Sequence, residues 1–412
     1  MGSEKETINQ LFHQEFSKMV AVISKLFGLQ HIEIAEDIVS ETFLQAAETW
    51  GDKGIPPNPP AWLYAVAKQK TLYYFRRNKL FEQKVLPELA AREEINSVES
   101  EPDFSMQNIK DSQLQMLFAI CNPAIASEAQ IGLALRILCG FGIDEIAEAF
   151  LSNKETINKR LFRAKEKLRT ERIQLEFPPE TDIGKRLENV LRIIYLLFNE
   201  GYYSKTQNQI LQKDLCLEAM RLCLLLMEYG LTNQPKTNAL LALMCFHASR
   251  FSARQSGNVA LILYEYQDEE LWDKELISQG WYYLNLSAAG DEVSTYHLEA
   301  RIASWHSIKK DTKEKWENIL QLYDRLLIIN YSPGVVLNRI YALYKARGAE
   351  EALPEAEKLQ MLNNHFYFLL LGELYKNLDK GKAKKHFQTA YSLAKTKTEK
   401  DFIQARIYEL NQ

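Results

Sequence analysis

Apolar residues recur at every third or fourth position along most of the chain, which is the spacing of amphipathic helices. This spacing predicts a first helix through Phe12, Phe16 and Met19, and a second helix over residues 34–50. In the second helix the apolar side chains are expected to point inward. Its acidic side chains are expected to point outward, namely Glu36, Asp37, Glu41 and Glu48.

A loop and a third helix follow. The segment GDKGIPPNPP (residues 51–60) predicts the loop, because proline ends helices and restricts the residue before it. From Ala61 the sequence AWLYAVAKQKTLYYFRRNK mixes aromatic residues with Lys and Arg at helical spacing. Such rings either stack on unpaired bases or pack in a core, and we favour the core for most of them.

A second helical group is predicted between residues 112 and 172. An apolar helix over 129–139 precedes a short helix over 143–150, a turn over 151–153 and a longer helix from Lys154. This is the pattern of a helix-turn-helix, with Ala147 at the helix crossing and Asn153 expected to take a left-handed conformation in the turn. The longer helix is expected to pack through apolar residues, namely Ile157, Leu161, Phe162 and Leu168.

The second half of the chain reads as further helices. Residues 177–180 (FPPE) mark a boundary, and the stretches after it are apolar on nearly all sides, which predicts buried helices. Small and large residues then alternate as in tetratricopeptide (TPR) helical pairs. The clearer pair contains Phe368, Leu371, Gly372, Tyr375, Ala383, Phe387 and Ala390. The looser pair follows Pro333 and contains Leu337, Ile340, Tyr344, Ala352 and Ala356.

Composition narrows the class of protein. Of 412 residues 46% are hydrophobic and 25% are charged, and 17 Gly with 12 Pro are few for a chain of many short strands. The sequence therefore predicts an all-α protein. It shows no signal peptide and no apolar run long enough to span a bilayer, so we expect a cytoplasmic protein without membrane contact.

The residues offer little for catalysis. Five scattered cysteines have no metal-ligand spacing, and we expect them to be small buried side chains rather than ligands. No phosphate-binding glycine loop or hydrolase motif is found. Glu200, Tyr202 and Tyr203 could serve a helical enzyme, but they lack a nucleophile paired with a base. We predict no enzyme, no metal and no cofactor.

Charge is concentrated in two elements. Between Ala61 and Val85 there are six basic residues and one acidic residue, and between Lys154 and Arg172 there are eight and three. Residues 86–112 between them hold seven acidic and two basic residues. Two basic elements joined by an acidic tether favour a protein that touches a polyanion at two places, although a basic helix face is often only solvated.

The first group resembles region 2 of bacterial extracytoplasmic-function sigma factors, of the sigma-70 family. The resemblance lies in AEDIVSETFLQAAETW and PAWLYAVAKQKTLYYFRRNK. It implies that the acidic helix docks on the clamp helices of the RNA polymerase β′ subunit through Asp37, Glu41 and Phe43. It also implies that residues 51–60 capture a flipped base and that the next helix contacts the −10 element. The implied −10 residues are Trp62, Lys68, Lys70, Arg76 and Arg77.

The second group resembles sigma region 4 in SEAQIGLALRILCGFGIDEIAEAFLSNKETINKRLFRAKEKLR. It follows the first group in the order of a small sigma factor, and region 4 implies contacts with the polymerase β flap and the −35 element. The residues expected to contact the −35 DNA are Lys154, Thr156, Asn158, Lys159, Arg160, Arg163 and Lys167.

The C-terminal half resembles the extension of a sigma subgroup that carries TPR-like helices after region 4. The sequence thus predicts region 2 over 7–82, an acidic linker over 83–111, region 4 over 112–172, an extension domain over 180–285 and TPR-like repeats over 286–412. A solenoid of this kind would bind a peptide, a protein or the chain's own sigma modules. The predicted function is promoter-specific initiation with core RNA polymerase. The alternative is a DNA-binding regulator with a TPR sensor that never joins polymerase.

Overall fold

The computed structural model describes residues 2–85, 101–150, 152–202, 209–254, 262, 264–395 and 397–410. These residues form helices and connecting turns, with no β-strand among them, which confirms the all-α prediction. The chain divides into two compact units, which we call unit 1 (Met1–Thr232) and unit 2 (Asn233–Gln412). No helix of the described residues is both long and apolar enough to cross a membrane.

Unit 1 is built around its first helix. Phe16, Met19 and Ile23 of this helix are fully buried, as their spacing predicts. The helices of unit 1 are α1 (Gly2–Phe27), α2 (Ile32–Lys53), α3 (Pro59–Val85), α4 (Met106–Ile120), α5 (Ser127–Leu133), α6 (Ile143–Ala149), α7 (Lys154–Thr170), α8 (Glu180–Tyr202) and α9 (Gln209–Met227). Helix α1 packs against α2, α3 and α4, so residues before and after the acidic linker share one core.

Two predicted connections are shorter than expected. Helix α2 runs to Lys53 and closes at Gly54, whose φ of +80° suits glycine. Helix α3 begins at Pro59, because proline fits the first turn of a helix, where no backbone donor is needed. The loop predicted over 51–60 is therefore only residues 54–58. Most of the predicted linker, residues 86–100, lies outside the described residues, while its ends belong to α3 and α4.

Unit 2 consists of helices packed in sequence. They are α10 (Pro235–Ala248), α11 (Phe251–Arg254), α12 (Lys274–Leu286), α13 (Thr295–Trp305), α14 (Lys313–Ile329), α15 (Pro333–Arg347), α16 (Ala349–Lys358), α17 (His365–Tyr375), α18 (Lys380–Leu393) and α19 (Lys397–Glu409). Helix α13 packs mainly against α10, and from α14 onward each helix packs mainly against its neighbours in the chain. That nearest-neighbour packing is typical of helical repeats.

Small residues allow the closest helix contact in unit 2. At Gly372 of α17 a Cβ atom would clash with the ring of Phe387 of α18, so only glycine fits there. Ala383 and Ala390 are fully buried in the same contact. The residues on which the TPR resemblance rests thus form the interface between α17 and α18, while the TPR assignment itself stays a prediction.

Candidate functional site

An open groove of about 880 Å³ separates α2 from α3. Its α2 wall carries Asp37 and Glu41, and its α3 wall carries Lys68, Lys70 and Arg76. The two walls touch where Lys70 Nζ lies 3.4 Å from a Glu41 carboxylate oxygen. The predicted polymerase-binding and −10-binding residues thus face each other across one groove.

The acidic wall is an exposed stripe on α2. Burial, and next the neighbouring Glu36 and Glu41, raise the pKa of Asp37, so negative charge is crowded there. Leu44 lies on the same helical face, seven residues after Asp37, and is 60% exposed. Sequence reasoning missed it, although the spacing of seven marks a shared face.

Phe43 lies on the opposite side of α2 from that stripe. It is buried in the core of unit 1, and its ring centroid is 5.0 Å from that of Phe12. The surface role that the resemblance implied for Phe43 is therefore not available to its side chain in this structure. The aromatic residue supports α2 from beneath instead.

The basic wall on α3 contains exposed side chains and side chains that contact neighbouring residues. Arg76 and Arg77 are exposed, Lys68 pairs with Glu101 at 2.5 Å, and Trp62 is half-buried with its ring 5.3 Å from that of Trp50. Most rings of α3 are half-buried against other rings: Tyr64 stacks on Phe104, and Tyr74 and Phe75 lie against Phe27. Tyr73 is the exception, being 66% exposed at the groove.

Helices α6 and α7 meet through a short connection. Ala147 and Ile157 are buried at their contact, and α7 packs through a stripe that includes Leu161 and Leu168. Asn153 has an extended backbone (φ −101°, ψ 157°) and caps α7, with its side-chain oxygen accepting from Thr156 N at 2.8 Å. The expected left-handed conformation of Asn153 is wrong, because the residue acts as an N-cap.

The outer face of α7 carries the residues predicted to contact −35 DNA. Six of them are exposed and Arg160 is half-buried; the exposed ones are Lys154, Thr156, Asn158, Lys159, Arg163 and Lys167. Several are in surface ion pairs, such as Lys154 with Asp144 and Lys159 with Glu155, both at 2.6 Å. Such exposed pairs contribute at most about 1 kcal/mol, so phosphates can replace the carboxylates.

Phe162 departs from its predicted role. It was expected to pack with Leu161, but it is 66% exposed in the middle of the basic face of α7. Helical spacing from Ile157 and Leu161 leads to Ala164 and Leu168 on the buried side, and Phe162 lies outside that stripe. An exposed aromatic ring among cations is therefore a feature that the sequence pattern assigned to the wrong side.

Glu36 of α2 binds two cations of the second helical group. It was expected to point outward, yet it is only 6% exposed. Its carboxylate accepts from Arg136 Nε at 3.2 Å and from Lys165 Nζ of α7 in a shorter contact. Arg136 also donates to Phe141 O at 3.2 Å. Residues 32–53 and the helix-turn-helix segment are thus held together by one buried carboxylate and two cations.

The first two helices after the predicted boundary also belong to this assembly. Arg186 of α8 donates to Phe118 O at 2.7 Å, and Asn189 donates to Cys121 O. From α9, Arg221 donates to Leu138 O at 2.6 Å. Helices α8 and α9 therefore supply donors to carbonyl groups at the end of α4 and at the end of the helical turn Ala134–Leu138, which extends α5.

The described residues offer few side chains that could act in catalysis. Burial raises the pKa of Glu200, and Tyr202 is buried, while Tyr203 lies outside the described residues. Within the described part of the chain, no group of His, Cys, Asp and Glu could hold a metal ion. All five cysteines are buried, as small packing residues would be.

Comparisons with known proteins match two segments of the chain to family models. Residues 11–81 match the family model of sigma-70 region 2, and residues 186–288 match a family of unknown function, DUF6596. An uncharacterized protein of Rhizobium meliloti (strain 1021) is 32% identical over 387 residues, which cover 92% of this chain and 91% of that protein. No solved structure matches the chain.

Proposed function

The chain belongs to the family of the Rhizobium meliloti protein and carries a sigma-70 region 2 domain, and from this premise we propose that it is an initiation sigma factor. In this proposal it binds core RNA polymerase and places it on promoters through −10 and −35 contacts, without catalysing a reaction itself. The observation that carries the proposal is the pair of exposed basic faces, on α3 and on α7, within one compact unit.

Core polymerase would dock on the acidic stripe of α2. Asp37 and Glu41 offer carboxylates, and Leu44 adds an exposed apolar side chain on the same face. A basic partner such as the β′ clamp helices would relieve the crowding of negative charge that raises the pKa of Asp37. Phe43 has no part in this surface, because it is buried.

The −10 element would meet α3. Lys68, Lys70, Arg76 and Arg77 supply cations for the phosphates, and Tyr73 supplies an exposed ring beside them. Cations that track a backbone together with rings that stack on bases are the common means of holding single-stranded DNA. Trp62 and the loop before α3 would lie next to the melted base pairs.

The −35 element would meet α7 in the major groove. Lys159 and Arg163 offer donors to base edges or phosphates, and Phe162 offers an apolar contact of the kind that recognises a thymine methyl group. Region 4 of the resembling sigma factors also meets the β flap, and we assign that contact to residues 112–172 as a group.

Promoter binding would require unit 1 to open. The −10 and −35 elements lie about 25 base pairs apart, which is roughly 85 Å at ~3.4 Å per base pair. In the structure, Glu36 of α2 contacts Lys165 of α7 directly. A protein in this closed arrangement cannot engage both elements together. We therefore propose that the closed form is the free, inactive state.

The C-terminal half would regulate this activity. We propose that residues 286–412 are TPR-like repeats, on the strength of the α17–α18 contact and the neighbour-to-neighbour packing from α14 onward. We also propose that the extension domain begins with α8 and α9, which are anchored on the region 4 module by Arg186 and Arg221.

Charge reversal on α2 separates a sigma factor from a regulator that never joins polymerase. We expect the double variant Asp37→Lys, Glu41→Lys to lose binding to core RNA polymerase by at least tenfold, since both carboxylates are exposed on the docking face. The matched control is Glu270→Lys, Asp291→Lys, which reverses two exposed charges in unit 2. Co-purification with core polymerase is the measurement, and equal recovery of both variants would contradict the docking surface.

A further inference from the structure

A short segment of unit 2, Tyr264–Gln267, is held by side chains from distant parts of that unit. We call these four residues the strap. Its first three residues form one 3₁₀ turn (Tyr264–Tyr266). The side chains that hold it come from the loop after α13, from α14 and from α19, the last helix of the unit.

The tyrosine at the start of the strap is seated among rings and ammonium groups. Its hydroxyl donates to Ile308 O at 2.9 Å and accepts from Lys315 Nζ at 2.9 Å. Lys315 is only 1% exposed, and its ammonium lies 5.0 Å from the centroid of the Tyr264 ring. The ring of His306 approaches edge-on at 5.2 Å. This cage selects a tyrosine, because it binds both the face and the hydroxyl of the ring.

Lys309 recognises the backbone of the strap. Its ammonium donates to the carbonyl oxygens of Tyr264, Glu265 and Gln267 at 2.8, 3.2 and 2.6 Å. Three carbonyl groups that converge on one cation fix the path of the chain. Backbone carbonyl groups are present whatever the side chains are, so Lys309 would hold any peptide that follows the same path.

Arg406 recognises the two residues that follow. Its guanidinium binds the Glu265 carboxylate and donates to the Tyr266 hydroxyl at 3.2 Å. The arginine is itself held by Glu373 at 3.2 Å and Glu409 at 3.0 Å, and it is 8% exposed. These carboxylates orient the guanidinium before any ligand arrives, which lowers the entropic cost of binding.

The strap itself is bound from one side only. Glu265 is exposed and Tyr266 is 61% exposed, whereas the groups that hold them are buried. Tyr264 is inserted among the helices, and Gln267 is buried at 6% exposure, with its side-chain amide donating to Ile262 O at 3.0 Å. A segment that is anchored by two side chains and exposed at its two central residues can leave without unpacking the helices beneath it, as segments of low local stability do.

We propose that this cluster is a binding site for a peptide of the form tyrosine, acidic residue, tyrosine, and that the strap is its internal occupant. The ligand would be a segment of a partner protein that carries a tyrosine followed by acidic residues, the chemistry that the chain shows in YEYQDEE (residues 264–270). Such a segment competes with the strap for Lys309, Lys315 and Arg406. This inference does not depend on the sigma assignment.

The test is binding of the strap sequence supplied as a separate peptide. A fluorescein-labelled peptide ILYEYQDEEL, the sequence of residues 262–271, is titrated with the full chain in a fluorescence anisotropy experiment. The wild-type chain is compared with the double variant Tyr264→Ala, Glu265→Lys, in which the strap no longer competes. We expect the variant to bind at least tenfold more tightly than wild type. A peptide with both tyrosines replaced by alanine should not bind, and adding Lys309→Met to the variant should abolish binding.

A second measurement uses the unaltered chain, so that misfolding of the variant cannot decide the outcome. Hydrogen exchange of the wild-type protein is followed with and without millimolar ILYEYQDEEL. We expect faster exchange of the amides of residues 264–267 with the peptide, and unchanged exchange in α14 and α19. Absence of binding to the variant and of any change in exchange would overturn the proposal and leave the strap as a fixed part of the fold.

Discussion

At the scale of single residues, His306 shows how strongly unit 2 disfavours an added charge. Its mostly buried ring lies between those of Tyr264 and Trp316, at 5.2 and 5.7 Å. Burial first, then the cations Arg250 and Lys315, lower its pKa to about 3, against a smaller opposing effect of Asp311. The imidazole is therefore neutral in the folded protein throughout the ordinary pH range.

Acid should destabilise the region around His306. Below its ordinary pKa of about 6.5 the unfolded state binds a proton that the folded state excludes until about pH 3, so stability is lost as the pH falls through this window. Allowing for the part of the ring that reaches solvent, we expect a loss of about 1–2 kcal/mol between pH 7 and pH 5. Hydrogen exchange of amides in α13 and α14 at the two pH values measures it.

The matched variant His306→Phe keeps an aromatic ring and removes the titrating group. Its loss between pH 7 and pH 5 should be smaller than that of wild type by the amount that His306 contributes. His247 is present in both proteins, and because its pKa is lowered first by burial and least by His306, it contributes nearly equally to the two losses. An equal loss in wild type and variant would show that His306 does not titrate as described.

Residue spacing predicted the buried stripe of α7 well and individual surface roles less well. Ile157, Leu161 and Leu168 are buried as expected, because a helix that packs on one side must place them there. Glu36 was predicted to be exposed and is buried, and Phe162 was predicted to be buried and is exposed, both for the same reason. Periodicity identifies a helical face, but it does not show that a second module covers an acidic residue, or that a basic surface leaves a ring uncovered.

At the scale of helices, α8 and α9 are the elements whose place the sequence did not reveal. The proline-rich segment 177–180 reads as the end of the sigma modules, yet unit 1 continues to Thr232. The Phe177 ring packs between Phe118 and Tyr229, at 5.7 and 4.6 Å. Proline marks the break between two helices, and it does not tell whether the second helix packs back onto the first group.

Truncation after residue 177 and after residue 232 tests which of the two is the end of unit 1. We expect residues 1–232 to form a stable fragment, whereas residues 1–177 lose the donors to Phe118 O and Leu138 O and the cover of the apolar side of α4. If that loss amounts to about 3 kcal/mol, the melting temperature falls by roughly 6–12 °C. Calorimetry of both fragments is the measurement. Equal melting temperatures would place the boundary near residue 177 after all.

At the scale of the whole molecule, the closed arrangement of unit 1 depends on Glu36. Removing one partner from a buried ion pair leaves the remaining charges uncompensated and commonly costs about 3–5 kcal/mol. Arg136 and Lys165 keep some solvent exposure, at 20% and 15% of their side chains, so the lower end applies here. Glu36→Gln should therefore favour the open form that the promoter requires.

The distance between two spin labels reports that opening. Labels on Ala61→Cys and Thr170→Cys, both exposed, mark α3 and α7, and the buried native cysteines should not react. We expect one short distance for the free protein and a broader, longer distribution for Glu36→Gln. The control is Glu33→Gln, whose carboxylate meets Arg169 in an exposed pair at 3.3 Å and should change little. Identical distributions for all three proteins would mean that Glu36 does not hold the closed form.

Initiation by core RNA polymerase tests the central claim most directly. The purified full chain is added to core enzyme with fragmented genomic DNA of its source organism, and the 5′ ends of the transcripts are mapped. We predict new, discrete 5′ ends that share −10 and −35 sequences and appear only with the protein. They should decrease strongly with Lys159→Ala, Arg163→Ala, which removes two exposed cations from α7. Transcripts with the same 5′ ends whether or not the protein is present would contradict the assignment as a sigma factor.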